Sequence, residues 1–372
     1  MVTTLRNHLD AHGSAPGDAA LARLVERLGD AAVALHELIS EGAGGAEGAR
    51  ASATDGGSNG GGDIQKMLDL EADRLFVAAA REAGVAFYGS EEQDEAVAMD
   101  ASGTLALAID PLDGSSNIET NVSIGTIFSV LPVEAEHRAA PDTVFRQPGR
   151  RQRAAGFFVY GPQLLLVLTL GHGTHCFGWS PRRREWSLTQ TIQIPEQAKE
   201  YSVNASNLRH WDEPVRLYVD NCLQGREGPR GRDFNMRWVA SMVADAYRIF
   251  VRGGIYLYPG DRRPGYADGR IRLVYEANPV AFCAEQAGGA ATDGLTSILD
   301  IEPAGLHQRT PVVFGSREEV LEYGRTLADP ASRVEVSPLF GQHAVARSAS
   351  AVIVSEGLTP RFAGTAAPSI TC

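Results

Sequence analysis

An apolar run at residues 104–109 leads directly into Asp110-Pro111-Leu112-Asp113-Gly114-Ser115-Ser116-Asn117-Ile118, and no other segment of the chain is as restrictive. The run predicts a short strand that delivers Asp110 at its C-terminal end. Pro111 stiffens a following turn, so that Asp110 and Asp113 face one point with the Leu112 carbonyl between them. Gly114, Ser115 and Ser116 then present backbone N–H groups, which form an anion site if a helix or turn opens there. A second acidic pair, Glu91-Glu92, lies upstream. Hard divalent cations take oxygen ligands, and Mg²⁺ combines a few carboxylates with substrate phosphate oxygens. The pattern therefore points to a site that holds metal and phosphate together, as metal-assisted hydrolysis of a phosphate ester requires.

Each segment also has a plainer reading. D-G-S-S is ordinary turn chemistry. Glu91-Glu92 continues into Asp94 and Glu95 as a solvated acidic loop would, and adjacent acids on a strand point to opposite faces. Both reach one site only if the chain leaves strand geometry there. Residues 271–275 read as a strand that ends on Glu276. An acid before Asn278-Pro279 is equally a helix-start signal. Arg270 and Arg272 alternate with Ile271 and Leu273, which suits either two guanidinium forks aimed at phosphate oxygens or a solvent face.

The chain has 372 residues, enough for one large domain or two medium ones. A formal net charge of -12 disfavours nucleic acid or an anionic membrane as partner. It leaves a small phosphorylated substrate open, because local charge and metal set that affinity. Cys176, Cys222, Cys283 and Cys372 are scattered without a CxxC pair, so neither a zinc site nor a disulfide framework is expected. The N-terminus has no apolar h-region and no window is long enough for a membrane span, which makes the cytoplasm the expected compartment.

Helical periodicity covers residues 21–39 and 64–80. Between them, residues 42–62 form a Gly/Ala/Ser-rich run, either a linker or a lid bringing in Asp63, Asp69, Glu71 and Asp73. Strands are expected at 122–130, 157–160, 164–170, 174–179, 254–258 and 312–315. Residues 146–153 read as a loop. Helices are expected at 238–250, 279–287 and 318–327. This mixture predicts an α/β (α+β) protein. The boundaries are an N-terminal domain at 1–195 carrying the metal and phosphate site, a C-terminal domain at 196–338, and a weakly ordered tail at 339–372.

Taken together, Ser90-Glu91-Glu92, residues 109–118, Val122-Ser123-Ile124-Gly125-Thr126-Ile127-Phe128, Tyr201-Ser202-Val203-Asn204, Ser241-Met242-Val243-Ala244-Asp245, residues 253–259 and 270–279, and His307-Gln308-Arg309 resemble the class I fructose-1,6-bisphosphatases. These belong to the lithium-sensitive, metal-dependent sugar phosphatase superfamily. The resemblance implies the layered αβαβα sugar phosphatase fold in two α/β halves, hydrolysis of the 1-phosphate of fructose 1,6-bisphosphate, a role in gluconeogenesis or the Calvin cycle, and a homotetramer. It implies that Glu91, Glu92, Asp110, Asp113, Glu276 and the Leu112 carbonyl bind Mg²⁺ or Mn²⁺. Glu92 would steer or deprotonate the attacking water, assisted by Asp69 or Asp73. Asp113, Gly114, Ser115, Ser116 and Arg272 would hold the 1-phosphate. Asn204, Tyr258 and Arg270 would grip the sugar and its 6-phosphate, and Arg237 would reach the 6-phosphate of a neighbouring subunit.

Some positions depart from the family pattern. Its lid acid matches Arg74, with Asp73 one residue early. Two of its 6-phosphate tyrosines match Asn207 and Trp238, its sugar lysine matches Arg270, and its regulatory Lys-Tyr pair matches Thr104-Leu105. These changes keep two alternatives open: a phosphatase for sedoheptulose 1,7-bisphosphate or an inositol phosphate, and a non-catalytic sugar-phosphate sensor.

Overall fold

A computed structural model describes residues 3–12, 17–41 and 60–328. The predicted lid at 42–62 lies almost wholly outside the described residues, as does the predicted tail.

The first sheet is eight-stranded. Its strands in chain order are β1 (Phe87–Ser90), β2 (Val97–Ala98), β3 (Leu105–Asp113), β4 (Ile124–Pro132), β5 (Ala154–Tyr160), β6 (Leu164–Thr169), β7 (Thr174–Ser180) and β8 (Glu185–Ile192). They lie in the order β2-β1-β3-β4-β5-β6-β7-β8. From β3 to β8 every neighbour is antiparallel, while β1 pairs with β3 in parallel. Sequence reading missed β8, whose burial alternates only weakly. The central strands are buried on both faces, so they read as continuous apolar runs rather than alternating ones.

The second sheet collects β9 (Glu200–Val203), β10 (Asn235–Met236), β11 (Ile255–Tyr258), β13 (Ala290–Thr292) and β15 (Val312–Gly315) in the order β10-β9-β11-β15-β13. A two-stranded ribbon pairs β12 (Ile271–Arg272) with β14 (Arg309–Thr310).

Three helical layers cover these sheets. On one face of the first sheet lie α1 (Leu5–His12), α2 (Asp18–Glu41) and α3 (Gly60–Ala83). Leu24, Leu28, Leu35, Ala72 and Phe76 there bury against Leu107, Ile109, Phe128 and Phe158. A short α4 (Ala135–Ala139) follows β4, and α5 (Glu213–Leu223) precedes β10. Between the sheets sit α6 (Met242–Arg252) and α7 (Asn278–Gln286), whose Val243, Phe250, Val280 and Ala281 join Phe157 and Val167 of one sheet to Tyr256 and Phe314 of the other. Outside the second sheet, α5 and α8 (Arg317–Ala328) pack Tyr218, Val219, Val320 and Tyr323 against Val203, Leu257 and Val313. The result is the expected αβαβα layering. The three cysteines among the described residues are buried and free.

Local details differ from the sequence reading. Asp110-Pro111-Leu112-Asp113 is not a turn after a strand but part of β3 itself. Residues 273–277 are not strand: β12 stops at Arg272 and a wide π-helical turn, Leu273–Ala277, runs directly into α7. All five residues of that turn are buried, which erases the alternation a half-exposed strand shows. The helix predicted from 238 begins at Met242, because Ala240 takes a left-handed backbone (φ 66°) and its carbonyl accepts the Asn117 side chain at 2.9 Å. Residues 146–153 are not a plain loop; 3₁₀ turns at Pro141–Arg146 and Gly149–Arg151 occupy half of the segment.

Candidate active site

The first sheet sets the two aspartates by a register shift. Asp110 lies opposite Ile127, and Asp113 opposite Gly125. Three steps on β3 thus match two on β4, so β3 carries one extra residue, a β-bulge. In a regular strand, residues three apart point to opposite faces. The bulge restores both carboxylates to one side. Pro111 has no N–H to lose from the ladder, and its carbonyl accepts the buried Thr126 hydroxyl at 2.8 Å.

Glu276 arrives from the π-helical turn. Ligand oxygens of Asp110, Asp113 and Glu276 lie within 4.8 Å of one another, and all three residues are buried. Each carboxylate is held. Asp110 accepts the Leu112 N–H at 3.0 Å. Asp113 accepts the Val243 N–H at 3.0 Å and the Ser241 hydroxyl at 3.2 Å, at the start of α6. Glu276 accepts the Arg272 N–H at 2.6 Å. Burial raises all three pKa values. Glu91 adds repulsion at each, and the bonds to Val243 and Ser241 offset part of the effect at Asp113, which sits at about 6. Asp110 and Glu276 lie well above the usual carboxylate range. The Arg272 guanidinium, which donates to the His307 carbonyl at 2.9 Å, attracts Glu276 more weakly than burial opposes it. Three buried carboxylates this close require protons or a cation. An all-oxygen donor set suits a hard divalent ion, so the residues fit the metal that the sequence pattern implies.

Glu91 and Glu92 leave β1 in a turn, which is how adjacent acids come to share one region. The Glu91 N–H donates to the Ile109 carbonyl, tying the turn to the strand that bears Asp110. Partial burial, then Asp69, Glu91 and Asp73, push the Glu92 carboxyl up to about 6. Asp69, on α3, is likewise raised, chiefly by burial, with nearby Ser115 offsetting part of the rise. One helical turn earlier, Gln65 donates to the Ser115 hydroxyl at 2.9 Å. Sequence reading missed Gln65, although its i, i+4 relation to Asp69 places both on one helix face.

Gly114 opens the 3₁₀ turn Ser115–Asn117 with φ 76°. A Cβ there would meet the Ser241 Cβ at 3.1 Å. Glycine thus lets the turn dock on the start of α6 while Ser115 meets Gln65 of α3 and Ser116 is exposed.

Asp73 behaves differently from the other acids. It is buried and accepts from Tyr88 Oη, Ser90 Oγ and Gln93 Nε2, each at 2.7 Å. Its oxygens are committed beneath the Glu91-Glu92 turn, which favours positioning over the lid acid's role. Arg74 faces solvent and pairs with Glu71 at 2.7 Å. His307 fastens the same turn from the other side. Its Nε2 donates to the Gln93 carbonyl at 2.9 Å, and its Nδ1 accepts the Tyr275 hydroxyl at 2.8 Å.

The residues assigned to the sugar end form a separate cleft. Asn204, Tyr258 and Arg270 line it together with Asn207, Asp261 and Tyr266. Trp238 stacks on Tyr256 (5.9 Å between centroids) beside Tyr258. Arg237 is exposed and does not line the cleft; it donates to the Met236 carbonyl.

The layered fold and the carboxylate cage define a sugar phosphatase that depends on metal. Comparison with known proteins narrows the class. Residues 9–191 match the fructose-1-6-bisphosphatase N-terminal domain and residues 194–328 the C-terminal domain. Fructose-1,6-bisphosphatase class 1 of Rhizobium meliloti (strain 1021) is 54% identical over 329 residues, 88% of this chain and 93% of that protein. The protein of the same name from Methylorubrum extorquens (strain PA1) is 47% identical over 348 residues, 93% of this chain and 98% of its own length. The crystal structure of Leishmania major fructose-1,6-bisphosphatase in holo form superposes with a TM-score of 0.77 at 32% identity, covering 88% of this chain and 100% of that one. The chain belongs to the class 1 fructose-1,6-bisphosphatase family.

Proposed function

We propose that the protein hydrolyses the 1-phosphate of fructose 1,6-bisphosphate to fructose 6-phosphate and phosphate, with Mg²⁺ (Mn²⁺ as substitute). One observation carries the reading: three buried carboxylates within 4.8 Å of one another, set on elements of both sheets' surroundings and beside a glycine-serine turn.

Asp110, Asp113, Glu276 and Glu91, with Glu92 and the Leu112 carbonyl at the rim, would hold the metal. Bound there, a divalent ion supplies Lewis acidity and neutralises phosphoryl charge. The chain does the rest. Backbone N–H and hydroxyl groups of Gly114, Ser115 and Ser116, with Arg272, orient the 1-phosphate. Glu92, at about 6, is ionised at neutral pH yet basic enough to take a proton from the attacking water. Asp69 orients Ser115 from α3. Asn204, Tyr258 and Arg270 bind the distal phosphate, spending remote binding energy on alignment. Asp113→Ala should remove more than about a hundredfold of kcat at saturating Mg²⁺, the scale of losing one main electrostatic stabiliser. Activity within a few-fold of wild type would refute its role.

The same reading includes a cytoplasmic homotetramer in which Arg237 serves a neighbour's distal phosphate; light scattering and Arg237→Ala kinetics test it. Asn207 and Trp238 keep a second substrate reading open, sedoheptulose 1,7-bisphosphate or an inositol phosphate. Turnover compared across both bisphosphates and an inositol phosphate separates them.

A further inference from the structure

The distal cleft contains a carboxylate that a phosphate-binding site should not tolerate. Asp261 is buried and lines the wall beside Asn204, Tyr258 and Arg270. An uncompensated anion there would repel a phosphate dianion. It is compensated from within its own loop. Arg263 Nε lies 2.9 and 3.1 Å from the two Asp261 oxygens, Arg263 Nη2 also donates to Oδ2, and the Arg263 backbone N–H donates to Oδ1 at 2.9 Å. The same guanidinium donates to Asn207 Oδ1 at 3.1 Å, which turns the Asn207 NH₂ into that side chain's remaining donor. Arg263 Cζ also lies 4.1 Å from the centroid of the Tyr266 ring.

Tyr266 links this ion pair to the cleft's other cation. Arg270 Cζ is 5.0 Å from the same ring centroid, and Arg270 Nη1 donates to the Tyr266 hydroxyl at 2.9 Å. Arg270 is otherwise an exposed side chain on a flexible stem, and a fork held by one hydrogen bond and a ring loses less freedom on binding an anion. Two guanidinium groups and one carboxylate leave the wall with a single net positive charge. Without Arg263 that charge is cancelled.

We propose that Arg263 and Tyr266 are specificity-determining residues for the substrate's distal phosphate: Arg263 masks Asp261, and Tyr266 aims the Arg270 fork into the cleft. This deepens the bisphosphatase reading and rests on it. The cleft's anion-binding elements are thus supplied and tuned from within residues 261–270.

The test uses the full chain, with fructose 1,6-bisphosphate kinetics and calorimetric titration of fructose 6-phosphate, which carries only the distal phosphate. Arg263→Ala and Tyr266→Ala should each raise KM, and weaken fructose 6-phosphate binding, by about tenfold, the worth of one charge-assisted contact. The loss should sit in KM rather than kcat. Tyr266→Phe, which keeps the ring and loses the hydroxyl, should fall between wild type and Tyr266→Ala. The double variant Asp261→Asn/Arg263→Ala should bind fructose 6-phosphate more tightly than Arg263→Ala alone, because the repelling charge is gone. A merely disordered loop would make the double variant as poor as the single one, and that result would overturn the proposal. So would fructose 6-phosphate affinities within twofold of wild type in both alanine variants. Failure of the wild type to release phosphate from fructose 1,6-bisphosphate would sink the bisphosphatase reading instead, and the titrations would still decide this one.

Discussion

Asp73 shows how much a single buried carboxylate can organise. Three donors converge on it at 2.7 Å, and two of them, Ser90 and Gln93, flank Glu91-Glu92. Removing the acceptor strands the buried Tyr88 hydroxyl and frees the turn. Asp73→Ala should cost about 3 kcal/mol of stability, the scale of a lost charged acceptor with an orphaned buried donor, read as a fall in denaturation midpoint. It should also raise the Mg²⁺ concentration needed for half-maximal activity. Asp73→Asn, which keeps an acceptor oxygen, should recover much of both. An Asp73→Ala protein as stable as wild type would show that the turn is held by other contacts. At this scale the sequence was informative wherever chemistry is local. Asp110, Asp113, Gly114 and the serines are readable as one string. The commitment of Asp73 is not, because its three donors lie 15, 17 and 20 positions away. Nor is the Arg263–Tyr266–Arg270 contact, which depends on how an irregular loop folds back on itself.

Elements differ in how firmly they are docked, and α1 carries its own acid-sensitive contact. Leu5 and Leu9 are buried, yet so is His8, whose ring lies 4.3 Å from that of His12 and 4.4 Å from that of His175. Burial, with the two neighbouring imidazoles, lowers the His8 pKa to about 4; burial lowers His175 as well. An unfolded histidine titrates near 6.5. Between those values the undocked state binds more protons, so stability rises with pH there, and the docking of α1 weakens as pH falls from about 6.5 toward 4. Amide exchange in residues 5–12 should therefore speed up on acidification relative to the central strand β5, and His8→Gln should blunt that response. Equal acceleration everywhere would contradict it. Element boundaries explain the main misreadings too. The bulge in β3 adds one residue, and one residue reverses every side chain beyond it. Only pairing with β4 reveals it. The alternation at 270–273 points to a strand that ends on Glu276, but it belongs to a two-residue strand, and the acid rides on a helical turn.

For the whole molecule, the cage is a folding cost that a metal ion relieves. The folded pKa values of Asp110, Asp113 and Glu276 lie above the ordinary carboxylate value. The metal-free folded state therefore binds more protons than the unfolded one, and its stability falls as pH rises from about 4 through about 6 and beyond. A cation that needs ionised ligands reverses this. The rise in melting temperature caused by saturating Mg²⁺ should be larger at pH 8 than at pH 5. An equal rise at both would mean that the ion binds elsewhere. The mixture of strands and helices was legible from continuous apolar runs and helical periods, because the central strands are buried on both faces, whereas the αβαβα layering came only through the resemblance. The convergence of acids from β1, β3 and the turn before α7 was legible only through the resemblance.

Phosphate release from fructose 1,6-bisphosphate by the purified full chain, with Mg²⁺ and with excess chelator, is the most direct test. The account predicts one phosphate per fructose 6-phosphate formed with the ion present, and loss of that activity on chelation, restored by adding Mg²⁺ back. No release in the presence of Mg²⁺ or Mn²⁺, or release that chelation leaves untouched, would contradict it.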